Sequence, residues 1–407
     1  MMDYSIYTFP NGLRLAHLPI DTPVSYCGFA VNAGSRDENS KEFGLAHFVE
    51  HMLFKGTEKR RAWHIINRMD NVGGEVNAYT TKEDTFIYSI FMESDFERAF
   101  ELLNDIVFHS RFPANELVKE REVIVDEIDS YEDSPSELIF DEFENLLFDG
   151  HSLGHNILGD RKSLARLDTQ SGLSFTNRFY TPENMIFFSM GRIDFRRVVR
   201  MAEKYIESGT SAKAQLQRKA PSIIPAKDVT IDRSTHQAHV MIGSSAYSMF
   251  DEKRIALFLL NNLLGGPSMN NILNLALREK RGLVYTVESN ITTFTDCGLF
   301  SIYFGTEPKH RDKAIDFVLN ELAELRKQKI SELKLSAAKK QAIGQLGVAN
   351  DNRENLFLGF GKSMLHYNLY DSLPEVFAKI ERLTADDLLA VADEVFAPER
   401  LFKLTYL

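Results

Sequence analysis

The sequence predicts an α+β fold with two structurally related domains, each an antiparallel-rich sheet with helices packed on one face. Short segments that are β-branched or alternate between apolar and polar residues are interspersed with long amphipathic segments along the chain. Their order is not the regular β-α-β alternation of a parallel sheet. A segment without periodicity near the middle and a faint internal repeat indicate two related halves.

The elements of the first half follow from the period of its apolar residues. Alternation with period two predicts strands, and apolar residues three and four apart predict helices. The predicted strands are LRLAHLP (13–19), SYCGFAVNAG (25–34), GGEVNAYTT (73–81) and DTFIYSIFM (84–92). The predicted helices are ERAFELLNDIVF (97–108), ANELVKEREVIVDEIDSYE (114–132) and LIFDEFENLLF (138–148).

The segment 208–227 has the composition of an interdomain linker. It is rich in Ser, Ala, Lys and Pro and has neither helical nor strand periodicity. We therefore expect a first domain at 1–210, a linker at 211–227 and a second domain at 228–407.

The internal repeat aligns residues 86–128 with residues 298–343. Each segment is predicted to contain a strand, a turn, a helix, a short connector and a second helix that begins near Asn-Glu-Leu or Ser-Glu-Leu. Such a repeat predicts the same supersecondary unit in both halves.

Composition argues against several classes of function. Lys and Arg number 47 against 58 Asp and Glu, a net charge of −11, and nucleic-acid binding needs a concentrated cationic surface instead. The longest apolar runs are shorter than the roughly 20 residues of a membrane span. Two distant cysteines form no disulfide framework, and no secretory signal is visible. We expect a soluble cytoplasmic protein that binds neither nucleic acid nor membrane.

The sharpest chemical motif is His-Phe-Val-Glu-His at residues 47–51. His47 and His51, four apart on a helix, project from one face and can reach one metal ion, and neutral imidazole suits zinc. Glu50 lies beside that face, where it could accept a proton from water. The order inverts His-Glu-x-x-His. Two unrelated surface histidines are the alternative, but the apolar neighbours predict a buried helix whose histidines need polar partners.

A third ligand has to come from another segment. Glu120 and Glu127 are two turns apart on the helix predicted at 114–132 and share one face. Since most glutamates of a Glu-rich helix are solvated, the spacing alone does not select the ligand.

Four separated motifs resemble the pitrilysin-type zinc metallopeptidases of family M16, the enzymes with the inverted motif. They are HFVEHMLFKGT, GGEVNAYT, KEREVIVDEI and LREKRGLVYTV, in this order. The nearest subgroup is that of short chains similar to the mitochondrial processing peptidase β subunit and its bacterial relatives. The resemblance extends over nearly the whole chain.

The resemblance implies one zinc ion per chain, held by His47, His51 and Glu127. It makes Glu50 the general base of peptide hydrolysis. Glu120 then matches a second carboxylate that orients a ligand or shares the proton.

The resemblance also implies substrate contacts. Arg278 and Tyr285 would hold the substrate carbonyl, although the sequence alone favours a surface Arg and a core Tyr at these positions. Asn77 and Ala78 would lie on an edge strand to which a peptide adds as another strand. The segment GGPSMNN at 265–271 departs from the Gly-Gly-Gly-Met-Ser-Ser-Arg-like segment of many relatives, which puts the local substrate contacts in doubt.

The two halves differ in chemistry. The repeat places Ser336 opposite Glu120 and Ile343 opposite Glu127, so the second half lacks the carboxylates. Because one chain carries both the metal motif and the Arg/Tyr pair, we expect a homodimer. In it each zinc domain would be completed by the partner's second domain, enclosing a chamber for short or unfolded peptides.

Two other functions stay open. One is a non-catalytic M16-like structural or scaffold subunit, and the other is a metal-dependent hydrolase of a non-peptide substrate. Trp63 is expected to pack beside the motif helix. The histidines that match no ligand position are predicted to be structural or solvated: 64, 109, 151, 155, 236, 239 and 310.

Overall fold

The computed structural model describes residues 4–206, 214 and 216–407. The strands are β1 Ser5–Thr8, β2 Arg14–Pro19, β3 Val24–Val31, β4 Glu75–Thr80, β5 Thr85–Met92, β6 Met185–Gly191, β7 Asp228–Ile231, β8 Ala238–Ala246, β9 Val284–Thr293, β10 Gly298–Thr306 and β11 Phe402–Tyr406. The helices are α1 Leu45–Leu53, α2 Ala62–Asp70, α3 Phe96–Phe108, α4 Ala114–Glu132, α5 Pro135–Leu147, α6 Arg161–Leu164, α7 Thr169–Phe179, α8 Phe195–Tyr205, α9 Lys253–Gly265, α10 Arg311–Lys327, α11 Glu332–Ala349, α12 Arg353–His366, α13 Leu373–Arg382 and α14 Ala385–Val395. None of these described helices has the length and apolarity needed to cross a bilayer.

The strands form two sheets with the same internal order. The first is β1-β2-β6-β3-β5-β4, and the second is β7-β11-β8-β10-β9. Each contains one parallel pair, β2 with β6 and β7 with β11, while all other neighbours are antiparallel. Apart from β1, the second sheet repeats the first strand for strand, which confirms two related α+β domains.

The order of the helices repeats as well. β5 is followed by α3 and α4, and β10 is followed by α10 and α11. These elements coincide with the segments aligned from the sequence. The elements predicted in the first half also agree with β2 to β5 and α3 to α5, within one helical turn at their ends.

Packing divides the described residues into two compact units, neither of which is one continuous segment. The first unit contains residues from 1–128, 155–218 and 350–372, and the second contains residues from 129–154, 219–349 and 373–407. The helix α5 of the first half therefore belongs to the second unit, and α12 of the second half belongs to the first. The domains predicted at 1–210 and 228–407 assigned each of these two helices to the half of the sequence in which it lies. Amphipathic periodicity does not reveal which sheet a helix covers.

The linker prediction at 211–227 is described only in part. Residues 211–213 and 215 lie outside the described residues, and residues 216–227 contain neither helix nor strand.

Both faces of each sheet are covered by helices. In the first unit, α3 and α1 contribute to the large core on one face, and Phe357 of α12 stacks on Phe188 at 4.4 Å on the other. In the second unit, α9, α10 and α14 lie on one face and α5 lies on the other. The sequence predicted helices on one face of each sheet. The single helix on the opposite face is required because β6 and β10 are buried along their whole length.

Trp63 does not pack as expected. On α2, Ile65 and Met69 turn to the core, while Trp63 lies on the opposite side with 71% of its surface exposed.

Candidate metal centre

The apolar side of α1 determines which residues it presents at the site. Six buried side chains pack it into the first core: Leu45, Ala46, Phe48, Val49, Met52 and Leu53. His47, Glu50 and His51 are left at the partly exposed side. The helix is therefore held by the hydrophobic residues between the chemical ones, as its apolar composition predicted.

A buried carboxylate holds the start of α1. Glu38 accepts hydrogen bonds from the backbone N–H groups of Gly44, at 2.9 Å, and Ala46, at 2.7 Å. His155 contacts the same carboxylate at 3.0 Å through Nε2. Gly44 has a φ of +88°, and a Cβ there would lie 2.5 Å from the carbonyl oxygen of Leu158. No motif in the sequence pointed to Glu38, and the contact of His155 with it agrees with the structural or solvated role expected for that histidine.

Two imidazoles and one carboxylate converge across α1 and α4. The Nε2 atom of His47 lies 3.7 Å from Oε2 of Glu127, and Nε2 of His51 lies 3.7 Å from Oε1. One ligand atom from each of the three residues can be chosen so that all lie within 4.8 Å of one another. Two ligands of a tetrahedral zinc ion, each about 2.0–2.1 Å from it, are about 3.4 Å apart. The spacing therefore fits joint coordination of one ion.

The orientation of these residues also fits a metal ion. The Nδ1 atom of His51 lies 3.1 Å from Oε2 of Glu120, while Nε2 of the same ring faces Glu127. Burial, with the nearby His51, lowers the pKa of His47 to about 3 and keeps that ring neutral. Two imidazole Nε2 atoms and a carboxylate thus face one point, an arrangement that a cation satisfies.

Glu120 lies beside the ligands, as the sequence predicted, and a lysine contacts it. The carboxylate is buried, with 6% of the residue exposed. Its Oε1 atom is 2.6 Å from Nζ of Lys55. No motif in the sequence pointed to Lys55, which lies just beyond the C-terminal end of α1.

Glu50 lies on the same side of α1 and is held by β4. The hydroxyl of Thr80 donates a hydrogen bond of 2.6 Å to Oε2 of Glu50. Burial raises the pKa of Glu50 above its ordinary value, and the Thr80 hydrogen bond limits that rise. A carboxylate with a raised pKa is a stronger base, as proton abstraction from water requires. Thr80 was also missed, because a threonine near a strand end has many ordinary roles.

β4, which carries Asn77 and Ala78, is the edge strand of the first sheet. Ala78 packs on the core that contains α1, whereas Tyr79 packs on the opposite face with Phe86. Because side chains alternate along a strand, Asn77 shares the face of Tyr79. Within the described residues, the outer edge of β4 pairs with no strand, so its backbone groups are open to an added strand.

Arg278 and Tyr285 lie in the second unit. Arg278 is exposed on the π-helical segment Asn274–Glu279. Tyr285 lies on the edge strand β9, is 53% exposed and has its hydroxyl 3.5 Å from Oε1 of Glu307. Tyr285 is therefore not the core residue that the sequence alone favoured, and both side chains are exposed.

Hydrogen bonds from asparagine side chains to backbone carbonyls stabilise the segment 265–271. The amide of Asn271 donates to the carbonyl oxygens of Gly266 and Ser268, both at 2.7 Å. Asn274 donates to the carbonyl of Met269. These hydrogen bonds give the loop a defined shape.

Comparison of the sequence with protein families gives two adjacent matches. Residues 17–161 match a family model described as Insulinase (Peptidase family M16), and residues 166–342 match one described as Peptidase M16 inactive domain. A relative from Bacillus subtilis is 31% identical over 395 residues, covering 97% of this chain and 96% of the relative. One from Streptomyces coelicolor is 33% identical, covering 95% and 86%. Both are named uncharacterized zinc proteases.

Solved structures share the fold. A protease from Helicobacter pylori superposes with a TM-score of 0.92 at 21% identity and covers 100% of both chains. A structure from Pseudomonas fluorescens, described as a peptidase M16 inactive domain, has a TM-score of 0.91 at 20% identity and covers 99% of this chain and 97% of its own. At these identities the likeness establishes the architecture alone.

Proposed function

The chain belongs to peptidase family M16, and from that membership we propose that it is a zinc-dependent endopeptidase acting on short or unfolded peptides. The observation that carries the proposal is the convergence of His47, His51 and Glu127 beside the partly buried carboxylate of Glu50. The names of the two bacterial relatives support zinc as the metal.

His47, His51 and Glu127 would hold the zinc ion. When bound, zinc polarises the scissile carbonyl and acidifies the attacking water. Glu50 takes a proton from that water and later gives it to the leaving amine, so that one peptide bond and one water become a carboxylate and an amine. Thr80 keeps the Glu50 carboxylate in place during both transfers.

The outer edge of β4 would bind the substrate. A peptide in extended form adds to this strand through main-chain hydrogen bonds near Asn77 and Ala78. Because such binding uses backbone groups, we expect little sequence preference. Folded proteins present few free extended segments, which favours short or unfolded substrates.

Arg278 and Tyr285 would bind the substrate carbonyl from a second domain. We propose that the active form is a homodimer in which the partner's second domain supplies this pair to each zinc domain. The exposed side chains of both residues are compatible with substrate contact.

The test is the Glu50→Gln variant on a quenched fluorescent peptide. Gln keeps the size of the side chain but cannot accept the proton, so kcat should fall at least about 10³-fold while the protein keeps its zinc. Zinc content is measured by elemental analysis. The matched control is Glu122→Gln, an exposed carboxylate of α4. Normal hydrolysis by Glu50→Gln would remove this residue from the mechanism.

A non-catalytic scaffold subunit is the alternative. The description of residues 166–342 as an inactive domain favours it. A scaffold would purify without stoichiometric zinc. A hydrolase of a non-peptide substrate would contain zinc but leave a peptide library uncut.

A further inference from the structure

We propose that Lys55 is a positioning residue of the metal centre, which holds Glu120 so that Glu120 in turn aims the imidazole of His51. The inference rests on the metal-binding part of the proposed function and does not require that the bound metal hydrolyses peptides. It assigns a role to a lysine that the inverted motif does not include.

Each oxygen of the Glu120 carboxylate has its own contact. Oε2 lies 3.1 Å from Nδ1 of His51, and Oε1 lies 2.6 Å from Nζ of Lys55. The Glu120 side chain is 8% exposed and that of Lys55 is 25% exposed. Among the lysine and arginine ion pairs of the described residues, Lys55 is the residue that pairs with the buried carboxylate of Glu120.

The physical role of Lys55 follows from the cost of an unpaired buried charge. Breaking a buried ion pair by removing one partner is strongly unfavourable, because the other charge is left without compensation. A Glu120 carboxylate without Lys55 would turn toward solvent and release Nδ1 of His51. The ring would then lose the hydrogen bond that fixes its tautomer and orientation.

The position of Lys55 also links the two helices that supply the ligands. Lys55 follows the end of α1, where the helix dipole favours a cation, and Glu120 lies on α4. α1 carries His47 and His51, and α4 carries Glu127. The ion pair therefore helps to set the separation of the imidazoles from the carboxylate ligand.

The experiment measures zinc affinity directly, with zinc chloride alone as the probe and a chromophoric chelator as competitor. Lys55→Met should raise the Kd for zinc about 10-fold, within the range found when partners of metal ligands are lost. Lys55→Arg keeps the charge and should restore binding to within about threefold of the original protein. Lys59→Met, which changes an exposed lysine four residues later, should leave the Kd unchanged.

A double-mutant cycle separates positioning from a general structural role. If Lys55 acts through Glu120, Lys55→Met adds no further loss to the Glu120→Gln variant. Thermal unfolding of the metal-free variants checks that they fold, and Lys55→Gln replaces Lys55→Met in the cycle if the latter does not. An unchanged Kd in Lys55→Met, or equal losses from it with and without Glu120, would overturn the proposal.

The outcome is independent of peptide hydrolysis. Wild-type protein that binds zinc and shows the coupling, but cuts no peptide, would contradict the proposed function and leave the role of Lys55 intact. Wild-type protein that binds no zinc would contradict both.

Discussion

Burial gives neighbouring residues of α1 different chemical properties. It lowers the pKa of His47 to about 3, so the ring is neutral and able to ligate. It raises the pKa of Glu50 and strengthens that residue as a base. The motif singles out His47 and Glu50 as candidate functional residues, but the pKa of each depends on the core around it.

Thr80 provides a test of the Glu50 geometry. Thr80→Val removes the hydroxyl that holds Glu50 and keeps the branched shape, so we expect kcat to fall about 10-fold with little change in KM. Zinc content should stay the same. Thr80→Ser retains the hydroxyl and should restore most of the rate. Full activity of the Val variant, with a loss in the Ser variant, would show that the methyl group, rather than the hydrogen bond, matters.

Among the secondary-structure elements, the paired strands β2 and β6 are also linked by the side chain of a buried histidine. His17 of β2 is 1% exposed, and its Nδ1 atom lies 2.9 Å from the hydroxyl of Ser189, its cross-strand neighbour on β6. Burial lowers the pKa of His17 to about 4. This neutral histidine must gain a proton when the chain unfolds in mild acid.

The pH dependence of folding follows from that shift. Because the unfolded pKa is about 6.5, stability is complete above that pH and is lost as the pH falls toward the folded value. At about 1.4 kcal/mol per pH unit, His17 contributes about 3 kcal/mol to the loss between pH 6.5 and 4.

Denaturation of the metal-free protein at several pH values measures this loss. His17→Asn, which can still contact Ser189, should flatten the profile between pH 4 and 6.5 relative to the original protein. Parallel profiles for the two proteins would contradict the assignment to His17.

The helix α12 shows what periodicity leaves undecided at this scale. It reaches the first sheet from the second half of the sequence, and His366 at its end contacts the buried carboxylate of Asp84 at 2.6 Å. The amphipathic pattern of such a helix predicts that it covers a core. It does not identify that core, because both sheets offer an apolar face.

At the scale of the whole molecule, the chain contains two copies of one architecture, and the proposed metal ligands lie in the first. The second sheet repeats the strand order of the first, yet α11 carries Ser336 and Ile343 where α4 carries Glu120 and Glu127. The absence of both carboxylates from α11 is consistent with the proposal that the second domain serves substrate binding.

The proposed homodimer is tested by mixing two inactive variants. Glu50→Gln lacks the base and Tyr285→Phe lacks the proposed hydroxyl, so each alone should be nearly inactive. If each site combines two chains, subunit exchange should restore about a quarter of the original activity, because half of the dimers are mixed and have one intact site. The solution mass should be that of two chains. A monomeric mass, or no recovery after exchange, would rule out shared sites.

The amino-acid sequence alone is enough to predict the local and chemical features of this protein: the period of each segment, the inverted His-Glu-His motif and the repeat. These depend on residues close together in the chain, where helix and strand geometry fixes which side chains share a face. The tertiary structure decided which distant groups meet. It brought Glu127 to the two histidines, Lys55 to Glu120 and Thr80 to Glu50, and it exchanged α5 with α12. Such contacts depend on how cores pack and on which buried charges find partners, and no local pattern encodes that choice.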